Sequence, residues 1–153
     1  VEVNGEVEKI CRLLAPLAEE AQVTLETDLG ADCVVVCSRE DVDQILRNLM
    51  ENAIKYNLPR GSVTVTTART EDRIRLTVAD TGVGIPREEM DRIFERFYRV
   101  DKARSRAAGG TGLGLSIVRD SVRHYGGQIS VAPREEQGTV FTVELPAWKE
   151  ENP

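Results

Sequence analysis

Apolar positions along the chain recur first at helical spacing and then at strand spacing. Over residues 5–21, Val7, Ile10, Leu13, Leu14 and Leu17 fall three or four apart, which predicts a helix that Pro16 kinks or shifts. Residues 23–27 and 33–37 predict a strand pair folded around Leu29-Gly30. Ser38 is placed to cap a second helix, with Asp41 in its first turn. Its apolar pattern runs through Ile45, Leu46, Leu49, Met50, Ala53 and Ile54 and stops at Leu58-Pro59-Arg60-Gly61. Alternation over 62–69 and 73–79, on either side of polar Thr70-Glu71-Asp72, predicts a hairpin. From Asp80 to Gly110 the periodicity gives way to glycine, proline and charge, with one short helix over 87–94. A third major helix over 112–125 ends at Gly126-Gly127, and strands over 128–132 and 139–145 follow. Helices set against adjacent antiparallel strands imply a two-layer α/β sandwich with the helices on one sheet face.

A length of 153 residues predicts one domain, and 41% hydrophobic with 30% charged residues fits a globular chain with a core. No apolar run approaches the ~18 residues of a membrane span, and the opening residues lack the pattern of a signal peptide. The net charge of −6 argues against a general nucleic-acid binder. The basic residues are local instead: Arg96, Arg99, Lys102, Arg104 and Arg106 crowd into eleven positions, compatible with a small anionic ligand. Cys11, Cys33 and Cys37 are odd in number and lack C-x-x-C spacing, so neither a disulfide framework nor a zinc site is expected. Cys33 and Cys37 read as small core hydrophobes on one strand face, in a reducing cytosolic setting. The chain opens at Val1 and enters structure at once, which predicts a piece of a longer protein, and its tail over 149–153 is expected to fray.

On a helical wheel, Asn48, Asn52, Lys55 and Tyr56 share an arc of about 100° opposite the apolar residues of the second helix. A carboxamide oxygen is a hard ligand suited to Mg²⁺, and a lysine one turn on can neutralise phosphate. Taken alone, the arc also fits a solvated helix face. Asp80-Thr81-Gly82-Val83-Gly84-Ile85-Pro86 directly follows a strand. Its glycines admit close approach to a flat ligand, and an aspartate at a strand end can accept from an exocyclic amine, though a capped glycine turn has the same pattern. Gly109-Gly110-Thr111-Gly112-Leu113-Gly114-Leu115 precedes the third helix, offering free N–H groups and the positive end of its dipole to a phosphate chain. The Walker A lysine is absent, and so is the strand that precedes the glycines of a dinucleotide fold. The aromatics of Ile93-Phe94-Glu95-Arg96-Phe97-Tyr98-Arg99, between the two glycine clusters, suit either the anchors of a lid or a partner-binding patch.

N-L-M-E-N-A-I-K-Y-N, D-T-G-V-G-I-P, I-F-E-R-F-Y-R-V-D, G-G-T-G-L-G-L-S-I-V and the closing H-Y-G-G-Q-I-S-V…G-T-V-F-T-V-E-L-P follow one another in the order of a known set of boxes. They resemble the N box, first glycine box, F box, second glycine box and final strands of the catalytic ATP-binding domain (HATPase_c, GHKL superfamily) of bacterial two-component sensor histidine kinases. The resemblance covers essentially the whole chain. It implies a Bergerat-type fold, with a mixed, mainly antiparallel sheet covered on one face by three helices and a mobile ATP lid over residues 96–110. It also implies ATP and Mg²⁺ as ligands. By resemblance, Asn52 coordinates Mg²⁺ with Asn48 one turn before it, Lys55 contacts phosphate and Tyr56 lies against the nucleotide. Asp80 bonds the adenine amine in a pocket shaped by Gly82, Gly84 and Ile85, and Phe94 and Phe97 are the F-box aromatics. Arg99 lies near the γ-phosphate, and Gly110, Thr111, Gly112, Leu113, Gly114 and Leu115 form the phosphate side at the lid's end. Asn48, Lys55 and Arg99 are the implied catalytic residues.

Hydrolysing members of this superfamily place a glutamate base one turn before the metal asparagine, where this chain has Asn48, and an amide takes no proton from water. That favours phosphoryl transfer to a protein. The only histidine, His124, sits at a helix end before Tyr125-Gly126-Gly127 and is not the expected phosphoacceptor. The implied partners are therefore a dimerisation and histidine-phosphotransfer hairpin of the same protein, upstream of Val1, and a response regulator receiver domain, with the isolated chain monomeric. The expected location is a cytoplasmic domain of a membrane-anchored parent. The alternative is a regulatory module, degenerate or anti-sigma-factor-like, that uses nucleotide to control a partner without phosphotransfer.

Overall fold

The structure is a computed structural model that describes residues 1–95, 114–134 and 137–148. Helix α1 (Val3–Ala21) starts where the Glu2 side chain accepts the Gly5 N–H at 3.1 Å, and it ends at left-handed Gln22. It runs on through Pro16, because buried Val3, Val7, Ile10, Leu14 and Ala18 fasten it to the core on both sides of that residue.

Among the described residues, five strands form one sheet in the order β1-β2-β3-β5-β4, with β1 (Thr24–Leu29), β2 (Ser62–Arg69), β3 (Arg73–Asp80), β4 (Gln128–Pro133) and β5 (Thr139–Pro146). β1 runs parallel to β2, and the other neighbours are antiparallel. The hairpin expected between residues 23–27 and 33–37 does not form. Residues 33–37 make only single bridges, Val34 with Glu2 and Val35 with Ala147. Their alternation reflects burial of Cys33 and Val35 beneath α1 and the end of β5, and period-two burial does not specify a pairing partner. Cys33 is a core residue as expected. Cys37 packs at the core's edge, where burial pushes its thiol up to about 11, so it stays protonated and inert.

One sheet face carries Val63 and Val65 of β2, Ile74, Leu76 and Val78 of β3, and Phe141, Val143 and Leu145 of β5, all buried. The register stacks them in rows such as Val65–Val78–Phe141. Helix α2 (Arg39–Lys55) lies across these rows with Val42, Ile45, Leu46, Leu49, Met50, Ala53 and Ile54 buried, and α1 and α3 (Gly114–His124) flank it. Burying one such Leu or Ile contributes about 1.5–3 kcal/mol, so this layer dominates stability. The helix expected over 87–94 is a 3-10 turn, Arg87–Glu89, followed by further turns. Its N–H groups reach back three residues, as in Glu89 to Pro86 and Met90 to Arg87, because Ile93 is the one residue of that stretch buried deeply enough to hold it down. Among the described residues no helix is long and apolar enough to cross a membrane.

Candidate functional site

The strand alternation that puts Ile74, Leu76 and Val78 into the core also puts Asp80 there, on the same face and at the last position of β3. It is only 8% exposed, between Val63 of β2 and Thr139 of β5. A carboxyl in that position must be satisfied locally. Its Oδ1 accepts the Gly82 N–H at 2.8 Å, and the Thr139 backbone N–H also bonds it. Burial raises its proton affinity above the ordinary carboxylate range, opposed by those two N–H groups and by the charge of Arg134.

The loop after Asp80 is pressed onto the end of α2. A Cβ at Gly82 would stand 2.4 Å from the Tyr56 carbonyl oxygen, so only glycine fits there, and the Val83 N–H donates to that same carbonyl at 3.2 Å. Gly84 has φ +76°, the left-handed region that glycine enters without strain. Ile85 is half-buried against the core.

α2 starts at Ser38, whose hydroxyl accepts the Asp41 N–H at 3.1 Å, and Glu40 and Asp41 lie in its first turn against the positive end of the helix dipole. Asn48 and Asn52 are half-buried along one side of it, and Lys55 is exposed in its last turn. Tyr56 is the C-cap, one residue past the helix, with its N–H on the Asn52 carbonyl at 3.0 Å. Gly114 opens α3 directly over Asn48: a Cβ built there would lie 3.4 Å from the Asn48 amide oxygen. Leu115 packs on the core beside it. The structure thus brings Asn48 to Gly114, and Tyr56 to Gly82 and Asp80, from three separate stretches of chain. Phe94 stands edge-on to Phe141 at 6.2 Å, which ties the start of the F box to the sheet. Phe97, Arg99, Gly110, Thr111, Gly112 and Leu113, with the lid expected over 96–110, lie outside the described residues.

Two residues that the sequence patterns did not single out hold this corner together. The buried Asn57 side chain donates to the Ser62 carbonyl at 2.9 Å and accepts from the Leu58 N–H at 2.8 Å and the Thr81 hydroxyl at 3.1 Å. Thr81 in turn accepts the Ser62 N–H at 2.9 Å. The end of α2, the start of β2 and the glycine loop are one satisfied polar network. The signal available was positional: each residue is a hydrogen-bonding side chain next to one already chosen, Asn57 after Tyr56 and Thr81 after Asp80. A cleft of about 270 Å³ behind this corner is lined by Leu58, Arg60, Thr81, Arg134 and Gln137, and neither Asn52 nor Asp80 is on its walls.

A sheet with helices on one face, a buried acid followed by a glycine loop and an amide-bearing helix beneath a glycine helix start together define a Bergerat-type, ATPase-like domain of the histidine kinase class. The signature of the family described as histidine kinase-, DNA gyrase B- and HSP90-like ATPase matches residues 37–149, and the chain belongs to that family. Sensor histidine kinase WalK of Bacillus subtilis is 36% identical over 157 residues, covering 97% of this chain and 26% of WalK. Sensor-like histidine kinase SenX3 of Mycobacterium tuberculosis is 42% identical over 131 residues, covering 85% of this chain and 32% of SenX3. The chain therefore spans about a quarter to a third of the length of these curated relatives. Among solved structures, the nucleotide-free catalytic domain of histidine kinase ThkA superposes with a TM-score of 0.84 at 28% identity over 95% of both chains. Full-length ShkA in complex with AMPPNP gives 0.83 at 30% identity, over 97% of this chain and 31% of ShkA. ThkA in complex with response regulator TrrA gives 0.78 at 26% identity, over 99% of this chain and 42% of ThkA.

Proposed function

We propose that the chain binds Mg-ATP and donates the γ-phosphoryl group to a histidine on a separate dimerisation domain of its parent sensor kinase. The observation that carries this reading is Asp80, an acid buried at a strand end with one carboxylate oxygen tied to Gly82. With two oxygens and several lone pairs, the carboxyl keeps acceptor capacity for the exocyclic amine of adenine, and Gly84 adds no side chain beside it. ShkA, a neighbour in fold, was solved in complex with AMPPNP, which supports an adenine nucleotide as the ligand.

The donor set fits a magnesium ion that arrives with the nucleotide. One hard amide oxygen, from Asn52, suffices for an ion that otherwise keeps waters and phosphate oxygens. Among the described residues no group of three or more His, Cys, Asp or Glu side chains could hold a metal without the nucleotide. The ion would neutralise phosphate charge, and Lys55, exposed at the end of α2, would add a cation on the same side. Arg99 is assigned to the transferred group by its box alone. Asn48 stands where a hydrolytic member carries its base, so the site suits transfer to a protein over hydrolysis. The sensor kinase relatives favour this over a regulatory module without phosphotransfer. His124, at the end of α3 with its ring edge-on to Tyr125 at 4.9 Å, is not the acceptor in this reading. The acceptor domain, a response regulator of the kind TrrA is to ThkA, and a membrane-anchored parent with this chain monomeric in the cytoplasm belong to the same proposal.

Isothermal titration with ADP and AMPPNP, with Mg²⁺ and with EDTA, tests it. Micromolar, Mg²⁺-assisted binding of adenine nucleotides is expected. A folded chain that binds neither nucleotide overturns it.

A further inference from the structure

The Gly82–Val83 peptide group is held at both ends by different parts of the fold. Its N–H, on Val83, donates to the Tyr56 carbonyl at the end of α2 at 3.2 Å. Its carbonyl, on Gly82, accepts from Gln137 Nε2 at 3.1 Å, across 55 residues of sequence. Gln137 belongs to the connection between β4 and β5, and the next residue, Gly138, lies against the backbone of Asp80. A Cβ at Gly138 would stand 1.9 Å from the Asp80 carbonyl oxygen, and its φ of +108° suits only glycine. Arg134, at the end of β4, donates its N–H to the Gly138 carbonyl at 3.0 Å, which closes the turn. Because the Gly82 N–H bonds Asp80 Oδ1, the hold on Gly82 acts, together with the Thr139 N–H, on where that carboxyl points.

We propose that Gln137 is a positioning residue for adenine recognition, acting through the Gly82–Val83 peptide on the aim of the Asp80 carboxyl. The inference rests on the nucleotide reading given above and deepens it. Gln137 is exposed overall and is not part of the hydrophobic core, so its part-buried bond to Gly82 is not explained by packing. Its side chain bridges the strand connection to the loop that carries specificity, whereas the Asn57 network fastens the same loop from the α2 side. The glycine loop is thus clamped from two directions. Recognition of an exocyclic amine by a single acceptor is sensitive to a small error in aim.

The test is titration of the 153-residue chain with ADP and with IDP, which carries the same phosphates but an exocyclic carbonyl oxygen in place of the amine. The variants are Gln137→Met, of similar shape with no donor, Gln137→Glu, which turns an acceptor towards the Gly82 carbonyl, and Gln137→Lys, which restores a donor. The wild type is expected to prefer ADP. Met and Glu at this position should weaken ADP about fivefold, with IDP much less affected and the urea midpoint lowered by no more than the loss of one hydrogen bond accounts for. Lys should recover most of the loss. An unchanged ADP-to-IDP ratio in the Met and Glu variants, or equal losses for both nucleotides, would overturn the positioning role. A wild-type chain that binds ADP no better than IDP would instead remove the assignment of Asp80, and this inference with it.

Discussion

The Tyr125 hydroxyl, one residue beyond α3, donates to the Asp41 carboxylate in the first turn of α2 and accepts the Ser38 N–H at 3.3 Å. It joins the end of one helix to the capped start of the other, while Gly114 at the start of α3 meets Asn48 further along α2. The two helices that carry the candidate metal and phosphate residues are therefore registered at two points.

Removing the first point should loosen that register. Tyr125→Phe is expected to lower stability by about 1 kcal/mol, the net value of a hydrogen bond at a half-exposed site. Asp41 has its carboxyl held below the ordinary range chiefly by Tyr125 and then by Ser38. A depressed acid contributes stability that is present above its unfolded value of 3.8 and lost as pH falls through the lower folded value. Urea unfolding at neutral and acidic pH should show a smaller acid-side loss in the variant. Identical pH profiles would contradict the role given to Tyr125.

Asp80 carries the opposite sign. Its folded-state proton affinity is raised by burial, so the folded chain holds that proton more tightly than the unfolded one. Its contribution to stability falls as pH rises above the unfolded value of 3.8, and Asp80→Asn should abolish that fall in the nucleotide-free chain. The same variant should bind ADP about tenfold more weakly through loss of a hydrogen bond to a charged acceptor, with IDP little changed. Equal loss for both nucleotides, measured by calorimetry, would contradict the adenine assignment.

Asn52 is half-buried on a helix whose opposite side makes the core. Asn52→Ala should leave circular dichroism native-like and raise stability slightly, by about 0.5 kcal/mol, because alanine is the better helix former. It should also abolish the gain in nucleotide affinity on adding Mg²⁺. Retention of that gain would remove Asn52 as the metal ligand.

Gly138→Ala puts a methyl group into the Asp80 backbone at a left-handed φ. A loss of at least about 1–3 kcal/mol is expected from backbone strain alone, together with weakened ADP binding as the Asp80 corner shifts. An unchanged urea midpoint would mean that the β4–β5 connection is free to move away from Asp80.

α2 was legible from Ser38 to its end because its cap, its 3.6-residue stripe and its breaker all agree locally. The β2–β3 hairpin and the closing strands were legible for the same reason, since alternation and turn residues pointed one way. The stretch over 33–37 misled because its alternation is real but serves burial beneath α1, and strand pairing is not a local property. The short helix over 87–94 misled because its residues permit a helix whose anchoring the core does not supply.

By itself the sequence determined the element types wherever periodicity, caps and breakers coincided, and the boxes placed Asn48, Asn52, Lys55, Tyr56, Asp80 and the glycines as candidates. Those are short-range properties, written in neighbouring residues. Only the tertiary structure decided that β1 pairs parallel with β2, that Asp80 is buried between β2 and β5, and that Asn57, Thr81 and Gln137 clamp the loop beside it. Each depends on groups brought together from distant parts of the chain, because a buried polar atom must find its partner wherever packing of the apolar face has placed one.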